Sequence, residues 1–287
     1  MSKVALILTG HLRYKPDENI GFSINVLNSL FPNSEVEIFL STYDDLGYFQ
    51  NNYKDYTNFK TPWISSENSS INLINELNDK YNFKYLNVEN FKNCNIEIQS
   101  QAKTLIDSNR IISTNPGLLV SGLSIYRKRV EIFDNLRNLD SSYEYIFQTR
   151  PDVTTKFSKN VKLNAFNMFQ ISSIIYGKSD NSVKFKRLFR NNKSEIPFYG
   201  EISMLMNYKN YEKYSTLYNK KFTDWIVDIF NSGNTKFVSS KYDSFLNSWE
   251  MPEYILSYAF NKLGFEITTS INEIQRDKPK DVLKLEN

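Results

Sequence analysis

The sequence predicts an α/β fold built on a mostly parallel central sheet flanked by helices, and three observations predict it. Val4–Leu8 is an unbroken apolar run ending at Thr9-Gly10. Continuous rather than alternating hydrophobicity marks a strand covered on both faces. Residues 20–31 place Ile20, Phe22, Ile24, Leu27, Leu30 and Phe31 near helical spacing until Pro32-Asn33 breaks the pattern. Val36–Leu40 then reads as a second buried strand, closed by Ser41-Thr42-Tyr43-Asp44-Asp45. Strand, helix, strand in this order is a parallel crossover unit. It gathers its loops at the carboxyl ends of the strands, where α/β proteins bind ligands.

The remaining elements follow in chain order. Ile71–Tyr81 is expected to be helical and Phe83–Val88 a short strand. Pro116-Gly117 punctuates the chain. A long helix over Leu118–Leu136 follows, with Leu119, Leu123, Tyr126, Val130, Phe133 and Leu136 on its apolar side. Tyr143–Thr149 is the next strand, stopped by Pro151, so that Arg150 and Asp152 fall at its carboxyl end. Met168–Ser173 and Ile202–Met206 read as strands. Tyr208–Leu217 and Pro252–Leu263 read as helices, the second ended by Gly264. Phe265–Ser270 is a last strand, and Glu273–Asn287 is a polar tail expected to fray.

Composition narrows the class. At 287 residues the chain is long for one core and short for two full domains. One compact unit is expected, with a first half over 1–155, a second over 156–272 and a tail over 273–287. Hydrophobic residues make up 40% and charged residues 23%, which suits a packed chain and argues against wholesale disorder. A formal net charge of +3 is too balanced for nucleic-acid binding by the whole chain. One cysteine, Cys94, makes no internal disulfide, which suits a reducing compartment. Its neighbours carry no nucleophile signature, and the sole histidine is His11. No run approaches the roughly 18–20 apolar residues of a membrane helix, and residues 1–10 lack the length of a signal peptide. A cytoplasmic protein is the expectation.

Three strand ends carry the chemistry. Thr9-Gly10-His11-Leu12-Arg13 closes the first strand, Ser41–Asp45 the second and Arg150-Pro151-Asp152 the third. In a parallel sheet these loops converge on one edge. They supply a glycine for close backbone approach, basic groups, hydroxyls and carboxylates. That set suits a nucleoside diphosphate: cations or a metal for phosphate, and side-chain hydrogen bonds for ribose and base.

The order of these segments resembles bacterial GT-A-like glycosyltransferases of surface-polysaccharide (capsule and O-antigen) synthesis. The matching pieces are Leu8-Thr9-Gly10-His11-Leu12-Arg13, Ser41-Thr42-Tyr43-Asp44, Ser124-Ile125-Tyr126-Arg127-Lys128 and Tyr143-Glu144-Tyr145-Ile146-Phe147-Gln148-Thr149-Arg150-Pro151-Asp152. They continue with Gly200-Glu201-Ile202-Ser203-Met204, Pro252-Glu253-Tyr254-Ile255-Leu256-Ser257-Tyr258 and Gly264-Phe265-Glu266-Ile267. Each motif is loose, and the weight lies in their order and spacing over residues 4–268. The resemblance implies a GT-A-like fold: a Rossmann-type sheet whose first half binds a nucleotide sugar, with a smaller mixed lobe on the acceptor side.

The resemblance also implies roles. Asp152 takes the place of the acidic motif that holds the donor diphosphate, usually through Mn²⁺ or Mg²⁺. The usual paired aspartates are replaced here by Arg150-Pro151-Asp152, so metal binding is expected to be weak or dispensable, with Arg150 supplying positive charge directly. Arg13 suits a phosphate, and His11 suits the donor or the leaving group. Thr9 and Gly10 shape the turn. Thr42 and Asp44 face base or ribose, and Ser124 and Arg127 reach the donor from a helix. Glu201 is the candidate base that takes the acceptor hydroxyl proton in an inverting reaction, with Glu253 second. Glu253 follows a proline at a helix start, where an acid is favoured in any case. The basic stretch Lys184–Lys193 interleaves cations with Phe185, Leu188 and Phe189, which suits an anionic membrane surface or a lipid-diphosphate-linked acceptor. A non-catalytic nucleotide- or carbohydrate-binding protein and a sugar-phosphate transferase are the competing readings. Single-stranded RNA binding is a distant third.

Overall fold

The computed structural model describes residues 2–49, 57–59, 63–137, 143–157, 169–172, 188–191, 194–197, 203–219, 221–233, 249–250, 252–263 and 267–274. The fold is α/β, with helices on both faces of a central sheet. In chain order the first half contains β1 (Ser2–Thr9), α1 (Pro16–Leu30), β2 (Ser34–Tyr43), β3 (Tyr48–Phe49), β4 (Trp63–Ile64), α2 (Ile71–Tyr81), β5 (Tyr85–Glu89), α3 (Phe91–Asp107), α4 (Pro116–Arg137) and β6 (Tyr143–Thr149). The second half contains β7 (Thr154–Phe157), β8 (Phe169–Ser172), β9 (Leu188–Asn191), β10 (Ser194–Pro197), β11 (Met204–Asn207), α5 (Tyr208–Asn219), α6 (Phe222–Asn231), α7 (Pro252–Lys262) and β12 (Ile267–Ile274).

The main sheet has the order β5-β2-β1-β6-β11-β8-β12-β7. The first four strands are mutually parallel. β11 then runs antiparallel to both β6 and β8. β12 pairs parallel with β8 through Ile267 and Thr268, and antiparallel with β7 through Ile271–Ile274, where Ile274 meets Thr154.

β1 has no exposed face. Val4, Leu6 and Leu8 pack with Ile20 and Leu27 of α1 and Ile74 and Leu77 of α2. Ala5 and Ile7 pack on the other side, in the cluster that holds α3 to α7, with Leu119, Leu123 and Phe133 of α4 at its centre. Each such fully buried side chain contributes about 1.5–3 kcal/mol by transfer from water. This double covering is why the sequence shows an unbroken apolar run.

Several elements lie where the hydrophobic pattern is weak. α3 is rich in Asn, Gln and Ser, yet Phe91, Cys94, Ile98, Ala102 and Leu105 form its buried stripe and Asn90 caps it. α6 buries Phe222, Trp225, Ile226 and Ile229 at helical spacing. β12 reaches Ile274, so two residues assigned to the polar tail are held by ladder pairing with β7. Glu201 and most of the Lys184–Lys193 stretch lie outside the described residues; of that stretch only the backbone of 188–191, strand β9, is described. Among the described residues no helix is long and apolar enough to cross a membrane.

Candidate functional site

The three loops singled out by their chemistry meet on one edge of the sheet. β1, β2 and β6 are parallel neighbours, so the turns that follow them share the carboxyl edge. After β1 the chain crosses to β2 on one side, while β6 lies on the other side. The gap above β1 and β6 is therefore a topological switch point, the place where open α/β sheets form a binding crevice.

Local sequence sets each side chain. Gly10 ends β1 at φ +121, a conformation that favours glycine, and its amide donates to the Ser41 carbonyl at 3.1 Å. Among the described residues nothing lies within 4 Å of where a Cβ at Gly10 would stand. Leu12 is buried and pins the loop to the core. Arg13 then extends to β6, and its Nε donates to Asp152 Oδ2 at 2.6 Å. Arg150 grips the same carboxylate from its own turn, with Nε to Oδ1 at 2.9 Å and Nη2 to Oδ2 at 2.7 Å. Asp152 is 1% exposed, so one buried carboxylate holds two guanidiniums across the crevice. The trio carries a net positive charge.

His11 is also buried. Its Nδ1 lies 3.1 Å from the Asp45 carbonyl; a carbonyl only accepts, so this nitrogen carries the proton and Nε2 keeps its lone pair. Burial pushes the imidazole pKa down to about 3, helped by the charge of Arg13, so the ring is neutral. It packs on Tyr43 at 4.5 Å and edge-on to Phe91 at 4.8 Å between ring centres.

The second loop is tied down by its own carboxylates. Asp44 accepts from Asn90 Nδ2 at 2.7 Å and from the Phe91 amide at 2.9 Å, at the start of α3. Asp45 accepts from the Gly47 amide, the Ser65 hydroxyl, and the Ser66 amide and hydroxyl. Burial would raise its pKa, but these bonds hold it below the usual carboxylate range. A surface cleft of about 320 Å³ lies beside them, lined by Asp44, Asp45, Ser65, Asn68, Asn90 and Lys92 among others.

Thr9 and Thr42 are buried at the strand ends. The Thr42 carbonyl accepts from Lys128 Nζ at 2.7 Å. Ser124 shares a hydrogen bond with the Tyr43 hydroxyl at 3.0 Å. Arg127 pairs with Glu89 at 2.9 Å and Glu97 at 2.6 Å. The structure thus gathers Gly10, His11, Arg13, Arg150 and Asp152 around the switch point. It places Asp44, Ser124 and Arg127 in the scaffold of β2, α3 and α4. Glu253 sits in the first turn of α7. Glu201 precedes β11 in the chain; Ser203, just ahead of that strand, shares a hydrogen bond with Thr149, the last residue of β6, at 2.8 Å.

A divalent cation does not fit this set. Both oxygens of Asp152 are engaged by arginines, and among the described residues no group of three His, Cys, Asp or Glu is placed to hold a metal ion.

Sequence reasoning missed several supporting residues. Asn19 lies on α1 in phase with the buried Ser23 and Leu27, which is the one signal that could have exposed it. Gly47 lies against His11. Glu250, fully buried, accepts from the Ser113 hydroxyl and from the Thr114 and Asn115 amides just before α4. No spacing in the sequence marks either Gly47 or Glu250.

No family model matches the chain, and no curated protein matches it. Among solved structures the chain is similar to mouse xyloside xylosyltransferase 1 in its apo form. The identity is 12%, the match covers 93% of this chain and 84% of that chain, and the TM-score is 0.37. At that level of likeness the reading of the site rests on its own residues.

Proposed function

We propose that the chain is a glycosyltransferase that moves a sugar from a nucleotide-sugar donor to a glycan or lipid-linked glycan acceptor, in the synthesis of a surface polysaccharide. One observation carries the reading: Arg13 and Arg150, from the turns after β1 and β6, meet on the buried Asp152 at the switch point of a parallel sheet. The leaving group of such a transfer is a nucleoside diphosphate that gains negative charge as the glycosidic bond breaks. Preorganised guanidiniums oppose that charge without reorganising at the moment of reaction. Asp152 holds the two forks in register, and Gly10, without a side chain, lets a phosphate approach closely. His11 is neutral and held in place by Asp45 beside this pair of loops. Glu201 is the proposed base toward the acceptor hydroxyl, with Glu253 second, and Lys184–Lys193 the proposed contact with a lipid-linked acceptor.

The test is a panel of nucleotide sugars read by thermal stabilisation, followed by release of nucleoside diphosphate when acceptor is added. A true donor at 100 times its Kd adds about 2.7 kcal/mol, and Arg13→Gln or Arg150→Gln removes the effect. A panel without any stabilising donor would sink the proposal. A non-catalytic binding protein is the second reading, favoured by the saturation of Asp152 with arginines. It requires stabilisation without release. Transfer of a labelled β-phosphate with the sugar would identify a sugar-phosphate transferase instead.

A further inference from the structure

We propose that Asn19 is the positioning residue that sets the distance and orientation between Arg13 and Arg150, and so determines how tightly the crevice holds a diphosphate. This rests on the reading of the crevice as an anion site. Asn19 lies on the first turns of α1 and is 5% exposed. Its side-chain amide uses both N–H groups on the two loops that matter. Nδ2 donates to the Tyr14 carbonyl at 2.8 Å, one residue after Arg13. It donates also to the Pro151 carbonyl at 3.1 Å, between Arg150 and Asp152. Oδ1 accepts from the Thr154 hydroxyl at 2.7 Å, which fixes which way the amide points.

Every polar atom of the amide is therefore used. The two loops come from strands far apart in sequence, and this helix residue fastens both. The backbone between them is also unusual. Lys15, next to Tyr14, has φ 39, the left-handed region, for a residue that is not glycine and that precedes proline. Such a conformation persists only where its surroundings hold it. The Asn19 amide on the Tyr14 carbonyl and the Asn19 backbone N–H on the Lys15 carbonyl at 3.1 Å are two such holds. Aspartate at 19 would face two carbonyl oxygens with no donor, and alanine would leave both carbonyls without this partner.

The Arg13–Asp152–Arg150 bridge ties the same two loops through side chains, while Asn19 ties them through backbone carbonyls. A bridge between long side chains alone tolerates slack. A short amide fastened to both backbones removes it, and small misplacements of binding groups are costly.

The experiment is calorimetric titration with inorganic pyrophosphate of wild type, Arg13→Lys, Arg150→Lys and the double variant, each repeated with Asn19→Ala. In the wild-type background the two arginines act as a unit, so the double substitution costs little more than either single one. With Asn19→Ala, affinity falls about tenfold and the two lysine substitutions become additive. Melting and far-ultraviolet circular dichroism establish that each variant is folded. If Asn19→Ala does not fold, Thr154→Val, which frees the amide to turn, is read in the same way, with Thr154→Ser restoring affinity. Unchanged pyrophosphate affinity in the folded variant overturns the proposal. So does weakened affinity with the coupling between the arginines intact, because a merely structural role would give that result. Pyrophosphate binding indifferent to both lysine substitutions would instead show that the crevice is not the anion site, leaving no task for the clamp.

Discussion

Gly47 lies against the His11 imidazole so closely that a Cβ at position 47 would fall 2.5 Å from Nδ1. Its φ of +69 adds a second requirement for glycine. Gly47→Ala is expected to lower stability by about 2–4 kcal/mol, from backbone strain and displacement of the ring. Urea denaturation measures it. In a His11→Ala background the same substitution should cost only the backbone part, about 1 kcal/mol. Equal losses in both backgrounds would show that the ring is not the obstacle.

Stability should fall as pH drops below about 6.5, the ordinary histidine value. Folding holds His11 neutral with its pKa near 3, so between those values the unfolded chain binds a proton that the folded chain does not. The lost stability approaches about 1.4 kcal/mol per pH unit. Asp45 and Glu89, held low by their bonds and ion pairs, add losses of the same sign, but only near and below the carboxylate range of about 4. Glu131, whose carboxyl burial pushes above its ordinary range, acts in the opposite sense, so the His11 share is read by difference: His11→Gln should flatten the slope between pH 5 and 7. An unchanged slope would assign it to another group.

Chelation should leave donor binding unchanged, because the positive charge at the crevice comes from Arg13 and Arg150. Donor titrations with chelator and with added manganese are the comparison. Binding abolished by chelator and restored by manganese would show that a further carboxylate joins Asp152. Asp152→Ala should lower stability by about 2–4 kcal/mol, since two partly buried guanidiniums lose their shared partner.

Glu201→Gln should lower turnover by roughly 10²–10⁴-fold while donor affinity stays close to wild type. The amide keeps the shape and removes the proton-accepting charge. Glu253→Gln, tested alongside, should retain most activity. Full-rate transfer by Glu201→Gln would place the base elsewhere, or point to a reaction that retains configuration.

Residues buried on both sides of the sheet were legible because their periodicity is forced by their environment. Ile71–Tyr81 was readable to the residue, and the run in β1 could be little else. α3 was hidden because its buried positions are few and separated by Asn, Gln and Ser, so Phe91, Cys94, Ile98, Ala102 and Leu105 alone form its buried stripe. At the site, the three strand ends were legible as chemistry, since polar residues stop apolar runs there. How they are braced was not. Asp44 reads as a ligand group in sequence, yet its carboxylate is spent on Asn90 and Phe91, nearly half a hundred positions on. Asn19 reads as ordinary helix surface, and only the fold shows Pro151 and Thr154 beside it.

β12 has a consequence for the order of events in synthesis. Its final residues pair with Thr154–Phe157, the strand that leaves Asp152 directly. A growing chain thus carries Arg13, Asn19 and Asp152 long before it carries the strand that pairs with β7. Contacts between such distant segments form slowly, because the intervening chain must first be ordered. The pairing of β12 with β7 is accordingly among the last contacts to form as the chain leaves the ribosome.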